Sequence, residues 1–318
     1  MLDSIVVFLV PVLGLIVGLI LLAFSSDTAV EHSVDLASGI GVSPLIIGLV
    51  LVSIGTDLPE IFNSIIASQM GHGDINVGNS LGSILAQITL ILGLLPFLAG
   101  TFKVKRKEIL VIGASEILSI IIVLAIVEKG YITRLNAFFL ILSWLLFTFI
   151  IMNFVKKRKI KQENKVPRSE RRYFYHFRRA VLGFAGVAIG AYFVIQSVIA
   201  LSEIFNISEY IVSFFAIAIG TSLPELFVNI TALRKKEYQL TIGNTLGSCI
   251  LDACFAIGIG PLFFPISISG GLALLTGSYA LFGSVMVILM LALREKVDRK
   301  AGVFFIALYF FSYIMLSV

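Results

Sequence analysis

The chain of 318 residues is 58% hydrophobic and 14% charged, carries 24 Lys and Arg against 19 Asp and Glu, and has a mean hydropathy of +1.03. Soluble domains hold about 25% charged residues, so this composition excludes a large aqueous domain and a disordered tail. Its two cysteines also exclude a disulfide scaffold. What remains is an all-α membrane protein that crosses the bilayer repeatedly.

A spanning helix needs about 20 mostly apolar residues, and such runs cover 5–24, 42–68, 76–99, 108–127, 134–155, 176–200, 208–233, 240–265, 272–293 and 301–317, ten predicted spans. The first lacks a basic leader and feeds a chain that keeps crossing, so it reads as a span and not as a signal peptide. Continuous apolar runs of this length exclude the short alternating segments of a barrel. Of the 24 Lys and Arg, 22 fall in odd-numbered connections, which places those connections in the cytoplasm and both termini outside. The expected setting is multi-pass insertion in the plasma (inner) membrane. Residues 156–175 then form a basic cytoplasmic loop that touches anionic lipid, between a first five-helix unit (1–155) and a second (176–318). Nothing points to nucleic acid or to a cofactor.

The halves repeat at a constant offset of 165: IGTDLPEIF at 54–62 matches IGTSLPELF at 219–227, and VGNSLGSILAQ at 77–87 matches IGNTLGSCILD at 242–252. Five spans per unit turn the second copy upside down, giving ten transmembrane helices as two inverted five-helix repeats, an arrangement of secondary transporters.

Asp57, Glu60, Glu225 and Asp252 lie inside apolar runs, where an acid at a helix centre costs roughly 2.5–3.5 kcal/mol. They are expected to converge on cations, protons or a wet cavity. Pro59 removes a backbone donor and Gly55 tolerates unusual dihedrals, so the helix is expected to break here and at the matching Pro224. The unwound turns offer the carbonyls of Ser53 and Ala218. A capping box, with Ser222 as N-cap and Glu225 reaching back, and Asp57 and Glu60 doing the same in the first half, explains the local sequence well. It does not explain why helices restart twice at mid-membrane beside further polar residues. Asn79, Ser83 and Gln87 at i, i+4, i+8, matched by Asn244, Ser248 and Asp252, place two polar stripes on helix faces. Gly78 with Gly82 and Gly243 with Gly247 let neighbouring helices approach closely. Carboxylates, hydroxyls, amides and carbonyls without imidazole suit hard cations, sodium or calcium.

These paired motifs in two inverted halves resemble the calcium:cation antiporter superfamily, most closely its sodium/calcium exchanger branch. The resemblance is most specific over 45–94 and 210–259. It implies that Glu60 and Glu225 are the central ligands of Ca2+ and Na+. It further implies that Thr56, Thr221, Ser83, Ser248 and Asp252 add oxygens, that Ser53 and Ala218 lend carbonyls, and that spans 5–24 and 176–200 slide across a rigid core. Two positions depart from the family pattern: Asp57 stands where serine is usual, as Ser222 keeps it in the second half, and Gln87 where relatives commonly carry Asn or Asp. With four acids, one Ca2+ leaves two charges over. Coupling to H+ or K+ is therefore the alternative to Na+, and a passive cation channel a remote one. An intramembrane protease using Asp57 and Asp252 lacks the GxGD signature. Glu116 is expected to pack or snorkel, Cys249 and Cys254 to pack, and His32, His72 and His176 to be too scattered for a metal site.

Overall fold

The apolar runs fold as helices. The structure, a computed structural model, describes residues 2–40, 42–156, 170–203, 214 and 218–317. Most of the expected basic loop, 157–169, and residues 208–213 and 215–217 of the seventh run lie outside the described residues. The helical segments are α1 (Leu2–Ile40), α2 (Pro44–Thr56), α3 (Leu58–Met70), α4 (Gly73–Leu98), α5 (Arg106–Val127), α6 (Arg134–Lys156), α7 (Glu170–Glu203), α8 (Ala218–Thr221), α9 (Leu223–Arg234), α10 (Tyr238–Phe263), α11 (Gly270–Arg294) and α12 (Arg299–Ser317). Among the described residues, five of them (α4, α5, α6, α10 and α11) are long and apolar enough to cross a membrane alone, and α2 with α3, bent by 47°, makes a sixth candidate.

Local chemistry sets the ends. Ser43 caps α2 by accepting the Ile46 N–H at 3.3 Å, and Pro44, whose missing N–H is an orphan in the first turn anyway, opens it. α3 stops at Gly71, whose φ of 81° closes the helix in the left-handed region. At the start of α12, Asp298 accepts the Ala301 N–H at 2.9 Å and pairs with Arg294 at 2.6 Å and Lys296 at 3.2 Å. The Ala301 N–H first, then these cations, hold its carboxyl below the usual range.

Helices α4 and α10 are innermost, with 78% of their apolar windows buried, whereas α6 is peripheral at 22%. Leu135, Phe138, Leu142 and Phe149 project outward from α6, an apolar exterior that suits lipid and not water. The four acids and the polar stripes lie inside. Close approach across the halves rests on glycine: a Cβ on Gly48 of α2 would meet the Leu240 carbonyl oxygen of α10 at 2.4 Å, and one on Gly82 of α4 would meet that of Phe214 at 2.1 Å. Helices α1 and α7 run antiparallel along a seam of small residues in which Gly14 faces Ser197, Gly186 faces Ser25, and Gly183 faces Ala29.

Among the described residues, two short ribbons tie the connections. β1 (Phe102–Lys103) pairs antiparallel with β4 (Lys296–Val297), and β2 (Tyr131–Ile132) with β3 (Ile266–Ser267). Each joins one half of the chain to the other.

Candidate functional site

The site is built where α2 gives way to α3 and α8 to α9. Asp57 (φ −82°, ψ 8°) and Ser222 (φ −85°, ψ 2°) break the two helices at matching places, and Pro59 and Pro224 follow in the restarted first turns. Because proline has no N–H, the carbonyls of Gly55 and Gly220 lose their helical donors. The chain kinks there without unwinding. The Asp57 N–H still reaches the Ser53 carbonyl at 2.8 Å and the Ser222 N–H that of Ala218 at 3.0 Å, while the Thr56 and Thr221 hydroxyls donate to the same two oxygens at 3.2 Å each. The expected free carbonyls of Ser53 and Ala218 thus each accept one backbone hydrogen bond, with a threonine hydroxyl, whose single hydrogen an asparagine oxygen also competes for, within reach. Gly55 also serves differently from expectation: it sits inside a helical turn, and a Cβ there would lie 2.3 Å from the Phe184 ring of α7, so its smallness admits a neighbour. Neither Asp57 nor Ser222 makes a side-chain cap, which removes the capping box.

All four acids are completely buried. One carboxylate oxygen each from Asp57, Glu60 and Glu225 lies within 4.8 Å of the others. Both oxygens of Asp57, both of Glu225, Glu60 Oε2 and Asp252 Oδ1 find no hydrogen-bond partner among the described residues. No Lys or Arg among the described residues pairs with any of the four. At 4.8 Å two ionised carboxylates repel by about 3.5 kcal/mol for an effective dielectric near 20, so the cluster calls for positive charge. Glu60 and Glu225 occupy the first turns of α3 and α9, where the helix dipole favours a negative group.

The polar stripes of α4 and α10 surround this cluster. Ser83 donates to Glu60 Oε1 at 3.4 Å and lies 3.3 Å from the Thr221 hydroxyl. Thr221 contacts Asn79 at 3.2 Å, and Thr56 contacts Asn244 at 3.4 Å, the same bond made twice with the halves exchanged. Gln87 donates to Asp252 at 3.1 Å, and these two are each other's counterparts at the 165 offset. Ser248, counterpart of Ser83, has no partner among the described residues. Both stripes pass through a π-helical turn, 86–91 in α4 and 251–256 in α10, a feature found mostly at functional sites.

Sequence reasoning missed Asn229, which accepts from Asn244 and donates to Thr245, both at 3.0 Å, and so fixes the amide beside Thr56. Its signal was its place four residues after Glu225, on the same face. Glu116 does not snorkel. It is fully buried and accepts the Ser284 hydroxyl at 2.5 Å. The histidines are not all scattered either: His32 and His176 meet at 3.0 Å, because α1 and α7 lie side by side.

A buried cluster of acids, hydroxyls and amides between broken helices, inside an apolar shell, defines an all-α membrane protein that handles a cation. The model of the sodium/calcium exchanger protein family matches residues 10–153 and 177–318, and the chain belongs to that family. It is 27% identical over 310 residues to the putative antiporter CaxA of Alkalimonas amylolytica, covering 92% of this chain and 94% of that one. It is 31% identical over 262 residues to the inner membrane protein YrbG of Escherichia coli, 79% of each. Its structure is similar to that of the sodium-calcium exchanger NCX_Mj soaked with Na+ and Sr2+, with a TM-score of 0.78, 28% identity, and coverage of 96% of this chain and 98% of that one.

Proposed function

We propose that the chain is a secondary antiporter that exchanges Ca2+ for Na+ across the plasma (inner) membrane by alternating access at one midplane site. The observation that carries this reading is the convergence of Asp57, Glu60 and Glu225 in a buried cluster that has, among the described residues, unpartnered oxygens and no cationic side chain. Family membership and the likeness to NCX_Mj support it. Glu60 and Glu225 are the central ligands. Asp57, Asp252, Thr56, Thr221, Ser83, Ser248, Ser222 and Gln87 complete the oxygen set, with the carbonyls of Ser53 and Ala218 once the threonine hydroxyls turn away.

Ten spans in two inverted halves, 1–155 and 176–318, joined by a cytoplasmic loop, form the scaffold. Each ribbon supports this topology, since β1–β4 joins connections three and nine and β2–β3 joins connections four and eight. Residues expected on one face therefore meet only partners expected on that face, as Asp27 and Lys235 also do at 2.8 Å. Mechanism follows from charge. An empty cluster of ionised acids cannot face an apolar wall, so α1 and α7 move across the core only when ions neutralise it.

Asp57 favours a second reading, coupling to H+ or K+, because a fourth acid leaves charge that one Ca2+ does not meet. Calcium-45 uptake into proteoliposomes, driven by an outward gradient of Na+, K+ or H+ imposed alone, separates the two. Uptake driven by Na+ supports the first reading and uptake driven only by H+ or K+ the second; uptake without any counter-ion contradicts both.

A further inference from the structure

We propose that His32, Asp35 and His176 bind one divalent transition-metal ion of the zinc class, which fastens α1 to α7. The site is independent of the acid cluster and of the transport reading. His32 and Asp35 lie three residues apart on one face of α1, and His176 comes from α7. His32 Nδ1 is 3.0 Å from His176 Nδ1, which is 3.2 Å from Asp35 Oδ2, and the three ligand atoms lie within 4.8 Å of one another. A tetrahedral ion with bonds of about 2.0–2.1 Å holds its ligands roughly 3.3 Å apart, close to the 3.0 and 3.2 Å that separate His176 from His32 and from Asp35. With both rings neutral, no more than one hydrogen fits between the two Nδ1 atoms. At least one of the two Nδ1 atoms is therefore unprotonated, the form that ligates a metal.

The surroundings hold the ligands in place. The Tyr175 ring packs edge-on against His32 at 5.7 Å and His176 at 5.3 Å, and a Cβ on Gly183 would come within 2.6 Å of the Ala29 backbone nitrogen, so the two helix backbones are in contact beside the site. His176 is 8% exposed, whereas the Asp35 side chain is 34% exposed, which leaves an entry path and room for a water as fourth ligand. Two imidazoles and a carboxylate suit Zn2+, Co2+ or Ni2+ and not Ca2+, which takes oxygen. Bound there, the ion fixes the register of α1 on α7 at one end of their small-residue seam.

The test is titration of the purified full chain with ZnCl2 against a chromophoric chelator, with thermal melting in parallel. Outer-shell partners alone are worth about 10- to 100-fold in metal affinity, so His32→Ala and His176→Ala should each weaken Zn2+ binding at least about tenfold and abolish the rise in melting temperature. Glu225→Gln should keep both. Asp35→Asn, nearly unchanged in volume, reads the same loss should a histidine variant not fold. Wild-type affinity in the His32→Ala/His176→Ala double variant, loss of the Zn2+ response in Glu225→Gln alone, or no Zn2+ binding by the wild type would overturn the proposal.

Discussion

Replacing Gly243 by alanine tests whether close contact between α2 and α10 holds the site together. The new Cβ would sit 2.2 Å from the Leu45 carbonyl oxygen, 3.0 Å from the Leu49 nitrogen and 3.1 Å from the Leu45 carbonyl carbon. Real Cβ atoms essentially never come closer than 3.0 Å, and these neighbours are backbone, so the helices must part by at least about 0.8 Å. Overpacking of this kind typically costs about 1–3 kcal/mol, and alanine returns up to about 1 kcal/mol through helix propensity. The net expectation is a loss of up to about 2 kcal/mol, and of about 1–3 kcal/mol relative to a glycine-to-alanine change that meets no neighbour. The same movement draws Thr56 away from Asn244, whose contact is already 3.4 Å, and calcium uptake should fall with it. Thermal unfolding of the purified protein reads the first effect and proteoliposome uptake the second. Gly271→Ala in α11 is the control: a Cβ there meets nothing within 4 Å, so it should be neutral or stabilise by up to about 1 kcal/mol. Should Gly243→Ala melt with Gly271→Ala and transport at the wild-type rate, the close-packing argument is wrong.

Two further substitutions probe the site. Asp57→Ser, which makes the first motif like the second, removes repulsion of at least about 3.5 kcal/mol per ionised pair and should shift the driving ion toward Na+; an unchanged order of Na+, K+ and H+ as drivers of calcium-45 uptake would argue against a tuning role. Thr221→Val deprives Asn79 and Ser83 of a partner, for which a loss of about 1–3 kcal/mol in stability and a lower Ca2+ affinity are expected, and wild-type melting with wild-type uptake would deny the network its role.

Much of this was legible in the sequence because apolar length and period are local properties. Where both ends are described, the helices begin and end within a few residues of the apolar runs, except that α1 continues to Ile40, well past the run ending at 24, and α7 starts at Glu170, ahead of the run at 176. Pro59 and Pro224 located the kinks, and the i, i+4, i+8 spacing located the stripes that do face the acids. What could not be read depends on partners far away in the chain. Nothing in 86–91 or 251–256 announces a π-turn, since its extra residue is accommodated by packing and not by propensity. Backbone freedom does not account for Gly55, whose smallness admits the Phe184 ring of another helix. The carbonyls of Ser53 and Ala218 were expected to be free because proline ends a helix, but proline frees the residue four before it, Gly55 or Gly220, and leaves its neighbours bonded. His32 and His176, 144 residues apart, meet through helix pairing that no spacing rule contains.

The claim that the buried carboxylates carry the ion is tested most directly by sodium-driven calcium-45 uptake into proteoliposomes containing Glu60→Gln or Glu225→Gln, each first shown to be folded by an unchanged elution profile and a melting temperature no lower than that of the wild type. Each variant keeps the side-chain volume and removes one charge from the cluster. Both are predicted to abolish exchange; calcium uptake at the wild-type rate by either folded variant would contradict the account.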